Sequence, residues 1–172
     1  MIVVLRLNHR KERDKRISTH IGLVSRAFFA DKIIYSGEHD DVLINSVNKV
    51  SKAWGGEFLA EYSKDYKKII KEYKLKGFKI VHLTMYGLLL NDKISQIKSE
   101  KNILIVVGGE KVPFDVYQAA DYNVSVTSQP HSEVAALAII LDRLIEGNEL
   151  IHEIKGVKKR IKPNALGKSF YE

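Results

Sequence analysis

Two segments of the sequence combine residue types that suit ligand binding. Residues 107–113 (VGGEKVP) follow one run of aliphatic residues, and residues 129–133 (QPHSE) follow a second run. Glycine lets a ligand approach the backbone closely, while a few polar side chains fix its orientation. The two segments therefore predict a single small-molecule pocket, whose apolar flanks suit an adenosine-like molecule.

The two standard phosphate-binding patterns are missing from these segments. No Gly-x-x-x-x-Gly-Lys-Ser/Thr string occurs, and Gly108 and Gly109 are adjacent and soon followed by Pro113 instead of forming Gly-x-Gly-x-x-Gly. Nucleoside triphosphates and dinucleotides are therefore disfavoured as ligands. Gly108-Gly109 alone would indicate only a turn, and the nearby polar segment 129–133 is what favours a pocket.

Cysteine and histidine give no sign of a metal centre. The chain contains no cysteine, which excludes disulfides, thiolate nucleophiles and sulfur-ligated metals. Its six histidines show no His-Glu-x-x-His or other close ligand spacing. We therefore predict that the protein holds no metal.

Basic residues outnumber acidic ones and cluster in two places. There are 28 Lys and Arg against 21 Asp and Glu, with clusters at residues 9–16 and 155–162. Such clusters attract a polyanion such as RNA, although solvated surfaces also carry them. The RNA-binding candidates are Arg10, Arg13, Arg16, Lys158, Lys159 and Arg160.

Alternating strands and helices are needed to bring the two segments together. Strand patterns occur at 2–7, 32–36, 57–60, 79–83, 103–107 and 122–126, and helix patterns at 18–30, 40–53, 63–73, 88–99, 113–119 and 131–146. The alternation predicts an α/β fold with a mostly parallel sheet and helices on both faces. In such a sheet, both segments follow the carboxyl ends of strands, where ligands bind.

Local residues predict several boundaries. Ser18 or Thr19, then Asp40 and Ser63, can begin helices, and Gly147 can end the helix that begins near residue 131. We expect one domain over residues 1–150. The basic C-terminal extension, 151–172, is either a flexible tail or an arm that packs on the body or on a second subunit.

The chain shows no targeting or membrane segment. No apolar run reaches the ~20 residues of a membrane span, and the start of the chain lacks the basic region of a signal peptide. We therefore expect a cytoplasmic protein.

Together with residues 13–20 (RDKRISTH) and Arg26-Ala27, the two segments resemble the archaeal tRNA (cytidine 56) ribose 2′-O-methyltransferases of the SPOUT superfamily. The resemblance extends from Leu5 to about Asn164. It implies a SPOUT-type fold with a deep trefoil knot over about 79–146, and a homodimer. It also implies S-adenosylmethionine as cofactor, tRNA as partner, and methylation of the ribose 2′-hydroxyl of cytidine at position 56.

The resemblance further implies where the cofactor binds. Its contacts fall at the end of the fourth strand and in the two segments, at Leu83, Gly108, Gly109, Glu110, Lys111, Val112, Pro113, Val126, Thr127, Ser128, Gln129, Pro130, His131, Ser132 and Glu133.

The catalytic candidates are Arg26, His20 and His131. The resemblance gives Arg26 the role of base, but a guanidinium pKa above ~12 disfavours proton acceptance. Arg26 is then either a perturbed base or an anchor for the phosphate beside the target ribose. In the second case His20, His131 or Glu133 accepts the proton, and histidine is the better suited near neutral pH.

Two other functions remain open from the sequence. The chain can be a non-catalytic RNA-binding α/β module, or it can methylate a different RNA nucleotide. Saturable binding of S-adenosylmethionine without RNA separates the module from an enzyme, because the module has no use for the cofactor.

Overall fold

The computed structural model describes residues 1–109 and 111–171. In this part of the chain, strands and helices alternate as predicted: β1 (Ile2–His9), α1 (Lys11–Ala27), β2 (Lys32–Gly37), α2 (Asp41–Trp54), β3 (Leu59–Tyr62), α3 (Tyr66–Leu75), β4 (Lys79–Leu89), α4 (Leu90–Lys98), β5 (Ile103–Val107), α5 (Phe114–Ala119), β6 (Tyr122–Ser125), α6 (Glu133–Ile145) and a 3₁₀ turn at Asn148–Leu150.

The strands form one parallel sheet in the order β3-β2-β1-β5-β4-β6. Ile103 of β5 lies opposite both Ile2 of β1 and Lys79 of β4. Because these three strands start in register, their carboxyl ends meet at one edge of the sheet. The part of β4 after Leu83 and the loop after β5 are therefore neighbours there.

Helices cover both faces of the sheet, as predicted. On one face, Val4 and Ile105 pack under α1, α2, α4 and α6 through residues such as Ile21 and Leu137. On the other face, Leu5 and Leu104 pack under α3 and α5. Burial on both faces explains why the central strands are nearly continuous aliphatic runs.

The prediction that α1 begins near Ser18 or Thr19 is wrong. The helix begins at Lys11 and includes the basic cluster. Its first turn carries Glu12 and Asp14, which suit the positive end of a helix. Asp14 is buried and paired with Arg10, and that pair keeps the pKa of Asp14 low although burial alone would raise it.

Other helix and strand boundaries differ from the predicted ones by a few residues. Asp40 caps α2 as predicted by accepting a hydrogen bond from the Leu43 amide, but Asp65, not Ser63, caps α3. β3 begins at Leu59, later than predicted, because the chain first turns at Gly55 and Gly56. α6 ends at Ile145, and Gly147 is left-handed as predicted, one residue after left-handed Glu146.

β4 is longer than predicted and irregular. It continues past Leu83 to Leu89, and its register with β6 shifts between Leu83 and Leu88. Gly87 makes the return possible, since a Cβ there would lie 2.6 Å from the Asn123 backbone. The intervening residues leave the ladder with β6 and form a wall at the edge of the sheet.

The C-terminal extension packs on the end of α2. The Lys158 amide donates to the Trp54 carbonyl at 2.9 Å, and Val157 bridges to Gly55. A second bridge joins Ile161 to Phe170, so the last residues fold back on themselves. These contacts favour the arm over the flexible tail, and the boundary at residue 150 stays a prediction.

Three further predictions concern a knot, membrane-spanning helices and a metal site. The trefoil knot over residues 79–146 stays a prediction. Within residues 1–109 and 111–171, no helix has both the length and the apolar character needed to cross a membrane. The same residues contain no group of three or more His, Asp or Glu side chains placed to hold a metal ion.

Candidate active site

A cleft of about 400 Å³ opens at the edge where β4 and β5 end. We call it the main cleft. Its residues come from the ends of those two strands, from the segment after β5, and from α5 and α6: Leu83, Thr84, Met85, Tyr86, Val107, Gly108, Gly109, Val112, Tyr117, His131, Glu133 and Ala136.

The two glycines of the main cleft have different roles. A Cβ on Gly108 would overlap the Val112 side chain, so glycine is required for the chain to fold back on itself there. A Cβ on Gly109 would meet only ordinary contacts, at 3.7 Å from Arg6 Nη2 and 3.9 Å from Glu133 Oε1. Gly109 therefore leaves open space in front of these two side chains.

The aromatic wall of the main cleft is held in place from behind. The Tyr117 hydroxyl hydrogen-bonds with Thr84 Oγ1 at 2.9 Å, and the Tyr117 ring packs edge-on against His82 at 4.6 Å. His82 is fully buried, and its Nδ1 lies 2.8 Å from Asn123 Oδ1. Burial lowers the pKa of His82 although this hydrogen bond opposes the change, so the ring is neutral at physiological pH.

One hydrogen bond determines the tautomer of His131. Its Nδ1 lies 2.6 Å from the Gln129 carbonyl oxygen, which can only accept. Nδ1 must therefore carry a hydrogen, and the neutral ring then has its lone pair on Nε2. Ser132 caps α6 by accepting from the Val134 amide, which fixes this segment against the helix.

A buried ion pair lies behind Gly109. Arg6 on β1 is 1% exposed, and its Nη1 lies 3.7 Å from Glu133 Oε1. Burial lowers the pKa of Arg6, while the charges of Glu133 and Asp14 oppose that change. Arg6 is not among the residues predicted from the sequence, although a single arginine inside the aliphatic run of β1 was a signal for it.

A second cleft of about 470 Å³ adjoins the first and shares Gly109 with it. We call it the basic cleft, because Arg10, Arg13 and Lys111 line it. Two acidic residues lie there as well: Asp14 is paired with Arg10, and Glu38 accepts from the Lys11 amide at 2.7 Å. The basic cleft can therefore receive an anion beside the main cleft.

The predicted cofactor residues fall into four groups. Leu83, Gly108, Gly109, Val112, His131 and Glu133 line the main cleft, and Lys111 lines the basic cleft. Glu110 lies outside the described residues. The remainder are not among the lining residues of the main cleft: Pro113, Val126, Thr127, Ser128, Gln129, Pro130 and Ser132.

Several lining residues were missed from the sequence. Thr84, Met85 and Tyr86 follow the aliphatic part of β4, so the pattern that revealed the other two loops was also present here. Tyr117 and Ala136 carry no such signal, because their place at the cleft depends on how α5 and α6 pack.

The predicted catalytic residues are not together within one chain. Arg26 lies in the last turn of α1, in a cavity with Met1 and Asp31 at the edge where β1 and β2 begin. That edge is opposite the one that carries His131. His20 is exposed partway along α1 and does not line either cleft.

Arg26 is half-buried and partly unsatisfied. Its Nη2 donates to the Gly55 carbonyl at 2.7 Å, whereas its buried Nε has no hydrogen-bond partner among the described residues. Burial lowers the pKa of its guanidinium. The hydrogen bond to Gly55 thus holds this cation in a fixed position beside the cavity.

The C-terminal basic residues lie near this arginine. Glu153 and Lys155 line the same cavity as Arg26. Lys159 lies 5.9 Å from the centre of the Trp54 ring, and Arg160 pairs with Glu153 at 3.0 Å. Two of the predicted RNA-binding arginines, Arg10 and Arg13, line the basic cleft instead, while Arg16 is exposed on α1.

Solved structures similar to this chain share its fold. A TrmH/SpoU tRNA modifying enzyme of A. aeolicus matches with a TM-score of 0.64 at 16% identity, over 87% of this chain and 76% of that one. The SpoU methyltransferase AviRb of Streptomyces viridochromogenes, in complex with AdoMet, matches with a TM-score of 0.62 at 14% identity, over 86% and 57% of the chains. These neighbours confirm the SPOUT-type fold.

Curated relatives are much closer in sequence. The tRNA (cytidine(56)-2′-O)-methyltransferase of Methanosphaera stadtmanae is 55% identical over 95% of this chain and 94% of its own length. The enzyme of that name from Thermococcus kodakarensis is 55% identical over 98% and 95%. The family model described as tRNA ribose 2′-O-methyltransferase, aTrm56, matches residues 54–171. The chain therefore belongs to the aTrm56 family of tRNA ribose 2′-O-methyltransferases.

Proposed function

We propose that this protein transfers a methyl group from S-adenosylmethionine to the ribose 2′-hydroxyl of cytidine 56 in tRNA. One observation carries the proposal: the main cleft, with its glycines and aromatic wall, and the basic cleft meet at Gly109. A methyl donor in the first and a ribose phosphate at the second would be adjacent. Methyl transfer needs that adjacency, because the reacting atoms must be aligned for a single displacement.

The residues of the main cleft fit the cofactor. Leu83, Val107 and Tyr117 offer apolar surface for a purine ring, and the glycines leave backbone accessible. The open space in front of Gly109 is room that any side chain there would fill. When bound, the cofactor supplies an electrophilic methyl group on a positively charged sulfur.

His131 is the residue we propose as proton acceptor. Its Nε2 bears the lone pair in the neutral ring, because Nδ1 is engaged with the Gln129 carbonyl. His131 lines the main cleft, whereas His20 lines neither cleft. A positioned imidazole can remove the 2′-hydroxyl proton as the oxygen attacks.

For Arg26 we propose the role of phosphate anchor, supplied by a second copy of the chain. Within one chain it lies at the sheet edge opposite His131, so it cannot act at the same cleft. Its guanidinium and the adjacent Lys155 line one cavity, and two cations side by side suit a phosphate. A homodimer that joins these edges would complete two equivalent sites.

The test of the reaction is transfer of labelled methyl from S-adenosylmethionine to an unmodified tRNA transcript. We expect label at cytidine 56, and none in a transcript with 2′-deoxycytidine at that position. Label that persists in the deoxy transcript would overturn ribose methylation. Absence of cofactor binding without RNA would instead favour the non-catalytic module.

The test of the shared site is a mixture of Arg26→Ala and Gly109→Val, assayed at a cofactor concentration too low to fill the weakened site of Gly109→Val, so that each variant alone is inactive. The Arg26→Ala chain has an intact main cleft, and the Gly109→Val chain has an intact Arg26. In a mixed dimer, the intact cleft of the first chain therefore meets the intact Arg26 of the second, which gives one complete site. With random pairing of equal amounts, about one quarter of wild-type activity should return. A mixture as inactive as its components would show that Arg26 does not act across a dimer.

A further inference from the structure

The Arg6–Glu133 pair is unusual for a buried group. Arg6 is 1% exposed, yet its Nε and Nη1 have no hydrogen-bond partner among residues 1–109 and 111–171. Its contact with Glu133, at 3.7 Å, is an ion pair that is too long for a hydrogen bond. The pair thus bears the cost of burying a charge without the hydrogen bonds that normally offset it.

Stability does not explain why an arginine occupies this position. Arg6 points to the same face of β1 as Val4 and lies beside Tyr35 and Val107 in the sheet, where an aliphatic side chain would pack well. Replacing a buried ion pair with apolar groups is often neutral or stabilising. A role at the cleft that the pair adjoins is the alternative explanation for Arg6.

The geometry directs the negative end of the pair towards the main cleft. Glu133 lines that cleft and Arg6 does not, so Arg6 lies behind the carboxylate. Gly109 lies in front of both, with no side chain to cover them. Among the described residues that line the main cleft, Glu133 is the one carboxylate.

We propose that Arg6 is a positioning residue that holds the Glu133 carboxylate at the main cleft, where the pair makes the cleft prefer the positively charged sulfonium cofactor over the neutral thioether product. This inference rests on the proposed function, since it requires S-adenosylmethionine in the main cleft. Product release benefits, because S-adenosylhomocysteine no longer carries the charge that Glu133 attracts.

Arg6 acts here by restricting Glu133. The Glu133 side chain is 29% exposed, so a carboxylate without its partner can turn to water, where its charge is screened. Anchored by Arg6, it stays at the less solvated side of the cleft, where a charge interaction is stronger. Loss of either residue should therefore remove the same preference.

The experiment compares the dissociation constants of S-adenosylmethionine and S-adenosylhomocysteine by calorimetry, without RNA. The variants are Arg6→Met, Glu133→Gln and the double variant. The matched control variants are Arg143→Met and Glu72→Gln, which change exposed residues. We expect each single variant to reduce the preference for the charged ligand about tenfold, and the double variant to reduce it no further.

Thermal unfolding of the ligand-free protein provides the second readout. The melting temperature of Arg6→Met should be unchanged or raised, because the substitution removes a buried charge that lacks hydrogen bonds and Glu133, whose side chain is 29% exposed, can then turn to water. Should that variant not fold, Arg6→Lys keeps the charge without the planar guanidinium, and we expect it to lose part of the preference.

Several results would overturn the proposal. These are an unchanged preference in Glu133→Gln, a preference that rises in Arg6→Met, or a large drop in melting temperature with the preference intact. The last would assign Arg6 a purely structural role. Failure of the wild-type protein to bind either ligand would instead refute the proposed function.

Discussion

His131 illustrates how a single backbone contact can define chemistry at one residue. The Gln129 carbonyl fixes the hydrogen on Nδ1, so Nε2 is left to accept a proton. We predict that His131→Gln lowers kcat by roughly 10²-fold or more, the usual contribution of a general base, while cofactor affinity is retained. Single-turnover kinetics and calorimetry measure the two quantities separately.

The control for this variant is His39→Gln, because His39 is a half-exposed histidine that stacks on Tyr62 and is not among the lining residues of either cleft. It should leave kcat unchanged. If His131→Gln instead weakens cofactor binding as much as it slows the reaction, His131 binds ligand and is not the proton acceptor.

Gly109 defines the space between the two clefts. A Cβ there would lie 3.7 Å from Arg6 Nη2, which is ordinary contact, so we expect Gly109→Val to fold. The branched side chain would nevertheless occupy the front of the main cleft. We predict at least a tenfold loss of cofactor affinity by calorimetry, about the effect of one lost close contact.

Gly167→Val is the matched control, since a Cβ on Gly167 meets nothing within 4 Å. Its cofactor affinity should equal that of the wild type. An unchanged affinity in Gly109→Val would remove Gly109 from the binding site.

At the scale of elements, the carboxylate of Asp40, which caps α2, makes the stability of the folded protein depend on pH. Burial alone would raise the pKa of Asp40, but hydrogen bonds from the Leu43 amide and from His9 lower it below the ordinary value. The folded state therefore binds fewer protons than the unfolded state near pH 4, so this stabilisation is present above about pH 4 and is lost as the pH falls.

We predict that Asp40→Asn lowers the melting temperature by about 2–4 °C at pH 7, the shift expected from about 1 kcal/mol in a chain of this size. The gap from the wild type should close as the pH falls from about 5 to about 2, because the wild type then loses the charge as well. Calorimetric scans across this range test it. A gap that does not change with pH would mean that the Asp40 charge contributes nothing.

Strands, helices and loops could be predicted from the sequence where neighbouring residues mark them. The glycines after Val107 and the polar segment after Val126 interrupt aliphatic runs, and that pattern locates loops without knowledge of the fold. Tyr117 could not be found in this way, and the arginine inside the aliphatic run of β1 did not show what Arg6 contacts. The place of Arg6 behind Glu133 depends on which strands are neighbours, and that of Tyr117 at the main cleft depends on how α5 packs against β4.

Long-range placement also explains the outcome for the catalytic candidates. Arg26 and His131 both belong to recognisable segments, and nothing in their local sequence shows that they lie at opposite edges of the sheet. The error at the start of α1 has a different origin. The predicted start, at Ser18 or Thr19, rests on their capping ability, whereas the charged residues before them extend the helix because Glu, Lys and Arg are good helix formers.

At the scale of the whole molecule, the excess of positive charge predicts a salt-dependent affinity for tRNA. The formal net charge is +7. We predict that Lys111→Ala, in the basic cleft, reduces the slope of log affinity against log salt by about 1, as expected for one lost phosphate contact. Filter binding over a range of salt concentrations measures this slope.

Lys71→Ala is the matched control, because Lys71 is exposed on α3, on the other face of the sheet from α1. Its slope should remain that of the wild type. Equal slopes for Lys111→Ala and the wild type would show that RNA does not occupy the basic cleft.

The pairing of β1 with β5 has a consequence for synthesis of the protein. Ile2 lies opposite Ile103, so about one hundred residues must leave the ribosome before the two strands can meet. Until then β1, β2 and β3 can pair with one another, but one edge of β1 remains open to incorrect partners. Arg6 and Gly109 come from opposite sides of this late pairing, so the nascent chain brings these two residues of the candidate site together only after most of its length has been made.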